Sequence, residues 1–391
     1  MRLHHAFFSA CLFAPGLFAA KSFTVTVSHA LDAARPGEVI VIPFRDVRQR
    51  IPDVLLDHVQ VKDSSGRVLR SQVTNFNPDD RAALYDDLVF QHDFGAGEKS
   101  ATFTVEATDK PVAPFPHLVS ARYIPERLDD FAFENDRIAH RMYGPALDTP
   151  AAGKSRMVSS GIDVWLKKVA YPIVDRWYLK GHDAYHVDSG EGLDMYSVGT
   201  NRGCGGTGIW DGKKLHPSHN WKSWKVLANG PIRAVFELRY DTWDAAGVKV
   251  SEVKRITVDA GRNLHQVEST FRAAEASGPL TVAVGLSKHA ELKAAFSHRE
   301  RSGWISLWET YPDHGEVGTA VLMPAGTLSG VTEDPGNHLA LARAEAGKPL
   351  RYFIGAGWDR SGHFGSRADW EAYLDAFAAR LGSPVRVELS N

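Results

Sequence analysis

Cysteine is almost absent: the 391 residues contain two, Cys11 and Cys204. Cys11 falls inside an apolar leader, so the trimmed chain has no partner for Cys204 and no intramolecular disulfide. A chain of this length buries enough surface to fold without one. Long apolar runs are missing too. No segment approaches the roughly 20 apolar residues that a membrane-spanning helix needs, so insertion into a bilayer is not expected. Nor does one charge dominate, since 45 Lys and Arg face 47 Asp and Glu for a net of −2. Such a chain has no global field to draw in nucleic acid or anionic lipid, and any anion it recognises must be met locally. Internal repeats and low-complexity tracts are also lacking.

What is present begins with an export signal. Arg2 gives a positive start, residues 6–20 an apolar segment and Ala19-Ala20 small residues for cleavage. This predicts a signal peptide over residues 1–20 and a periplasmic or secreted protein. Leu17 and Phe18 are bulky ahead of the cut, which leaves its position open by a residue. Phe8-Ser9-Ala10 makes a poor lipoprotein box before Cys11, so plain export is favoured.

Residues 21–115 read as a small β-sandwich. Segments 23–27 and 101–105 alternate, 38–43 is an apolar strand, and Asp63-Ser64-Ser65-Gly66 and Gly95-Ala96-Gly97 supply turns. Residues 110–116, with three prolines, read as an extended linker. The domain over 116–391 has longer strands. Segments 231–240, 248–258 and 265–271 alternate across turns and predict a large bent antiparallel sheet, with more strands at 280–286, 304–308, 318–323 and 351–356. One structural helix is expected over 367–381: Ser366 caps it, Trp370, Tyr373, Leu374, Phe377 and Leu381 share a face, and Gly382 ends it. The fold class is all-β with one C-terminal helix.

Residues 133–224 concentrate charge, glycine and aromatic rings. They include Glu134-Asn135-Asp136-Arg137, Arg141, Tyr143, Lys167, Tyr185-His186, Asp188, Glu191, Asp194, Arg202 and Trp210. Hydrogen-bonding groups interleaved with flat rings suit a sugar, and such loops converge on one cleft if they form a site. The plainer alternative is long polar loops on a β scaffold.

The motifs Phe133 to Ala139, Arg141 to Pro145, Gly190 to Asp194, Arg202 to Gly206 and Gly303 to Glu309 resemble an exported bacterial family known as domain of unknown function 4861. The resemblance covers most of the chain after about residue 20 and implies polysaccharide utilisation alongside pectin-degrading enzymes. The long strands after Gly230 also look like the galactose-mutarotase-like supersandwich, which implies a small N-terminal β-sandwich followed by a large antiparallel β-supersandwich. Fold likeness alone does not fix a reaction.

The chemistry is read from residue types. Histidine is the side chain suited to moving protons at neutral pH and tyrosine can act as a positioned acid, so His186 and Tyr185 are the catalytic candidates. Arg137, Arg141 and Arg202 could hold a uronate carboxylate bidentately, with Tyr143, Lys167, Asp188, Asp194 and Trp210 lining the sugar. Glu134 and Glu191 are further catalytic candidates, although Glu134 and Arg137 could equally serve an internal ion-pair network. Asp188, Glu191 and Asp194 could collect calcium but lack the spacing of a known calcium loop, and no metal is assigned. Gly203 to Gly208 matches a dinucleotide motif by letter only, because a turn rather than a helix follows; glycine there is expected to make a tight turn or admit a ligand. Cys204 is expected to be a buried filler, and His289 with Glu309 is a reserve acid/base pair. The leading expectation is a lyase acting on uronic-acid-containing oligosaccharides by β-elimination, with no cofactor. The alternatives are a glycoside hydrolase with paired carboxylates such as Glu134, Glu191 and Asp194, or a non-catalytic glycan-binding protein.

Overall fold

The computed structural model describes residues 21–76, 86–273 and 278–391; the expected signal peptide and Cys11 lie outside them. Period-2 alternation dominates, and almost every element is an antiparallel strand. In the small sandwich, Phe23, Val25 and Val27 of strand Ser22–Ser28 point inward and meet Phe103 and Val105 of Ser100–Ala107. A three-stranded sheet (Arg35–Pro43, Asp87–Phe94, Ser71–Thr74) closes the other side with Ile40, Ile42 and Phe90. The chain also returns here at its end. Strand Arg386–Ser390 pairs with Ser22–Ser28, so Val387 and Leu389 pack on the sandwich core. Gln72 fixes the sandwich to the large domain: its amide oxygen accepts from the Ile232 and Arg233 N–H groups, and its nitrogen donates to the Arg233 carbonyl.

The large domain is built on an eight-stranded antiparallel sheet that runs from Ser223–Asn229 through Arg233–Ala245, Val248–Asp259, Leu264–Ala273, Pro349–Trp358, Gly315–Leu322 and Trp304–Tyr311 to Lys293–Arg299. One face packs against two five-stranded sheets, with Phe236, Ile256, Val267, Ile305, Val321 and Ile354 in the shared core. The other face carries helix Arg367–Gly382, which seats Trp370, Leu374 and Phe377 on Trp304, Leu322 and Phe353. Its N-cap is Ser366, whose hydroxyl accepts from the Asp369 N–H at 3.3 Å. The all-β class with one long C-terminal helix is therefore the observed one.

Candidate functional site

Alternation along three paired strands lays the floor of the site. In Asp130–Glu134, Ile138–Met142 and Ile162–Lys167, Phe131, Phe133, Ile138, Val164 and Leu166 face the large sheet. Their neighbours Asp130, Glu134, Arg141, Asp163, Trp165 and Lys167 therefore share the opposite face. Residues 168–191, with helix Val174–Lys180 and the turn Ala184–His186, cross that face as a cover. Two carboxylates pin the cover. Glu134 accepts from the Ile173 and Val174 N–H groups at 2.9 and 3.0 Å and from Lys167 Nζ at 2.7 Å. Glu191 accepts from Tyr171, Arg176, Trp177 and Lys180, and these bonds, that of Lys180 foremost, hold its pKa down to about 2. The catalytic expectation for Glu134 and Glu191 is thereby corrected. Glu134 is buried and spent on a helix start and an ion pair, while Glu191 stays ionised and fully engaged. Lys167 is no substrate ligand either, because its ammonium is buried between Glu134 and the Asn135 carbonyl at 2.6 Å.

At the centre, Arg141 sits directly across from Asp163. Its guanidinium lies 2.6 Å from Asp163, 3.3 Å from Asp194 and 3.9 Å from Asp130, all buried. Arg141, even with the charge of Arg127 acting on Asp130, does not balance three carboxylates away from water. Burial pushes Asp130 up to about 7 and raises Asp163 and Asp194 as well, so the cluster retains a proton near neutrality. Nε, Nη1 and Nη2 of Arg141 are each engaged, and Arg141 and Asp194 are both buried, so neither is open to a uronate, which corrects their expected roles. Tyr143 stacks over Arg141, its ring centre 5.4 Å from the guanidinium carbon.

Tyr185 and His186 lie on top of this cluster. The Tyr185 ring stacks on Trp165, and its hydroxyl is 3.4 Å from both Arg141 Nη1 and Arg127 Nε. At 2% exposure it positions the arginines and does not reach substrate, which revises its expected role as an acid. His186 differs: its side chain is 41% exposed. Its Nδ1 lies 2.7 Å from the Asp194 carbonyl oxygen. That oxygen only accepts, so Nδ1 is the donor, and in the neutral imidazole the lone pair falls on Nε2.

Arg127 completes the group and was missed from the sequence. Its Nε meets Tyr185, its charge acts on the nearby Asp130 carboxylate, and its two Nη groups make no hydrogen bond among the described residues. It is held by an unusual turn, for Leu128 and Asp129 both adopt left-handed backbone, at φ 50 and 63. Tyr123 donates to the Asp129 carboxylate. Gly144 admits the turn, since a Cβ there would lie 1.5 Å from the Asp129 carbonyl oxygen. No glycine marks residues 125–130 as a turn; Gly144, fifteen residues after Asp129, was the remaining signal.

The other expected ligands scatter. Arg137 donates to His363, sits 3.7 Å from Asp136 and lines a cavity of 250 Å³ with Lys168. Asp188 accepts from Lys168 and from the Gly190 N–H. Asp188, Glu191 and Asp194 thus face three different environments, and they do not form the calcium centre entertained for them; among the described residues no group of three or more His, Cys, Asp or Glu is placed to hold a metal. Arg202 is 2% exposed and donates to Ser160 Oγ and to the Thr200 and Thr207 carbonyls, and burial pushes it down to about 10. It has no open face for a carboxylate, which corrects its expected role. Trp210 packs on Leu215, Ala283 and Leu339, apart from the site. Residues 204–210 form a strand rather than a turn, and the Gly203 backbone approaches a neighbouring strand: a Cβ at its φ of +58 would lie 2.1 Å from the Ile162 carbonyl oxygen. Cys204 is buried and its thiol is pushed up to about 12, as befits a filler. In the His289–Glu309 pair, burial opposes the charged imidazole, but the Glu309 bond at 2.9 Å helps to override it and the pKa is raised. The second ring nitrogen is bound to the Ser197 carbonyl at 2.6 Å, so neither is free.

This arrangement belongs to one family: the model described as domain of unknown function (DUF4861) matches residues 27–387, and the chain is a member. It is 32% identical over 380 residues to Uncharacterized protein P7 of Formosa agariphila, covering 93% of each chain. Its fold is similar to that of an alpha-mannosidase from Enterococcus faecalis V583, with a TM-score of 0.53 at 10% identity over 96% of this chain and 46% of that one. A protein in the glycosyl hydrolase family 38 from Enterococcus faecalis matches equally, at 0.53 and 10%, over 96% of this chain and 48% of its own. The chain spans about half the length of these solved structures, and at such identity the likeness is one of fold.

Proposed function

We propose that the protein is an exported, carbohydrate-active enzyme that cleaves uronic-acid-containing, pectin-type oligosaccharides by β-elimination. The observation that carries this reading is the exposed His186 side chain, whose Nδ1 is held by the Asp194 carbonyl, next in sequence to Tyr185, whose hydroxyl meets Arg127 Nε while the Arg127 Nη groups make no hydrogen bond among the described residues. The fold likeness to sugar-cleaving enzymes supports the substrate class by analogy only. Arg127 takes the uronate carboxylate bidentately, which stabilises the carbanion character that develops when His186 removes the C5 proton. The C4–C5 double bond forms as the C4–O4 bond breaks. The imidazolium then returns its proton to the departing O4, so one exposed group serves as base and acid. Arg141 and Tyr185 act from beneath as positioning residues.

Hydrolysis through Glu134 and Glu191 is disfavoured, since neither carboxylate is free and Glu191 remains ionised. The test is product analysis on pectin fragments. The reading expects the ultraviolet absorbance of a carbon–carbon double bond conjugated to the carboxylate. New reducing ends without that chromophore would assign hydrolysis, and binding without any product would assign a glycan-binding protein.

A further inference from the structure

A second cavity, of 410 Å³, lies where the small sandwich meets the large domain. Gly37 and Gly261, one from each domain, both line it, and a Cβ on Gly37 would lie in ordinary contact, 3.6 Å from the Gly261 carbonyl oxygen. Two arginines enter from opposite sides: Arg70 from the link between strands Val68–Leu69 and Ser71–Thr74, and Arg137 from the large domain. The half-buried Arg70 guanidinium has no hydrogen bond or ion pair among the described residues, and its Nε is shielded from water. Arg137 Nε is likewise buried without a hydrogen bond, although Asp136 lies 3.7 Å away. The cavity's acids are tied to its own backbone, with Asp93 accepting from the Gly37 N–H and Asp136 from the Gly261 N–H, each at 2.6 Å. Arg67 at the rim is paired with Asp63, and His92 with Glu98.

Arg70, held in a cavity with its donors unused, lacks what a guanidinium normally finds, a planar or tetrahedral oxyanion, and Arg137 spends Nη1 on His363 but keeps Nε without a hydrogen bond. We infer that this junction is an anion subsite: Arg70 and Arg137 together grip one carboxylate or sulfate group of an acidic glycan. The inference rests on the glycan reading above and extends it, because the small sandwich then contributes a ligand of its own. Arg137 also lines the 250 Å³ cavity with Lys168 and His363, so this side chain borders both hollows.

Calorimetric titration of the full chain needs no turnover and so separates this claim from the proposed reaction. Galacturonate, galactose 6-sulfate and neutral galactose are the probes, used with wild type, Arg70→Gln, Arg70→Lys and Arg137→Gln. At least one anionic sugar should bind at least about tenfold more tightly than galactose, and each Gln variant should lose about tenfold or more of that preference, with Arg70→Lys between, as expected on losing a charged hydrogen bond. Preference for galacturonate identifies a carboxylate as the occupant, and preference for the sulfate ester a sulfate. Equal affinity for all three sugars, or anion affinity unchanged in folded Arg70→Gln and Arg137→Gln, overturns the subsite even where elimination has been demonstrated.

Discussion

Replacing Glu134 by Gln separates a structural carboxylate from a catalytic one. Glu134 and Lys167 are each about 1% exposed at the side chain and 2.7 Å apart. Removing one charge of a buried pair leaves the other uncompensated, at roughly 3–5 kcal/mol. The carboxamide keeps one acceptor oxygen, but its NH2 group faces the Ile173 and Val174 N–H donors, so part of the helix cap, worth ~1 kcal/mol, is lost as well. A loss of this size is a large share of a total stability of roughly 5–15 kcal/mol. It lowers the melting temperature by roughly 5–15 °C at the few degrees per kcal/mol that larger domains show. Glu134→Gln with Lys167→Met removes both charges and should recover most of the loss. Thermal unfolding by circular dichroism and turnover per folded molecule, measured together, decide the matter. A Glu134→Gln protein that melts like wild type yet has lost its turnover would falsify the structural assignment.

Further outcomes follow from the same contacts. Arg127→Gln should lower kcat/KM for acidic oligosaccharides by about tenfold or more, and weaken their calorimetric binding while leaving that of neutral oligosaccharides little changed, because it removes a charge-assisted pair; equal loss of affinity for acidic and neutral sugars would exclude Arg127 as the carboxylate ligand. Stability should depend on pH through two opposed groups. Burial lowers His140 from 6.5 to about 4, so the unfolded chain takes up a proton first and ~3 kcal/mol is lost as pH falls through that window. Burial raises Asp130 from 3.8 to about 7, so it opposes folding increasingly as pH rises from 3.8 to 7, by ~4 kcal/mol in full. Asp130→Asn should therefore expose the acid loss due to His140 in denaturant titrations between pH 7 and 4; a profile unchanged from wild type contradicts the raised Asp130 carboxyl, and no acid loss in the variant contradicts the lowered His140. Cys204, with its thiol pushed up to about 12 by burial, should resist alkylating reagents in the folded protein and react once unfolded, as mass spectrometry will show.

The strands and the long helix were legible because burial follows period 2 and period 3.6 directly. Ser366, Trp370, Leu374 and Phe377 announce the helix, and segments 231–240 and 248–258 announce the central hairpin. The closing strand Arg386–Ser390 was not legible, because its partner Ser22–Ser28 lies at the other end of the chain and only contact shows the pairing. In the site, Tyr185, His186, Arg141, Tyr143 and Asp194 do come together. The residue types did not say which side chains protein groups had already claimed. Glu134, Glu191 and Arg202 have the chemistry of a site but their donors and acceptors are taken. Arg127 looks ordinary in sequence, and only a left-handed turn at Leu128 and Asp129 leaves its fork open.

The most direct test of the account is the elimination rate of His186→Ala on an acidic oligosaccharide, read beside its affinity and melting temperature. The side chain is 41% exposed and its one hydrogen bond is to a backbone carbonyl, so the variant should fold and melt close to wild type. Turnover should fall by roughly 10²–10⁴-fold, the contribution of a positioned general base, while oligosaccharide affinity stays within about tenfold. Near-normal turnover in a folded His186→Ala protein would contradict the mechanism at its centre.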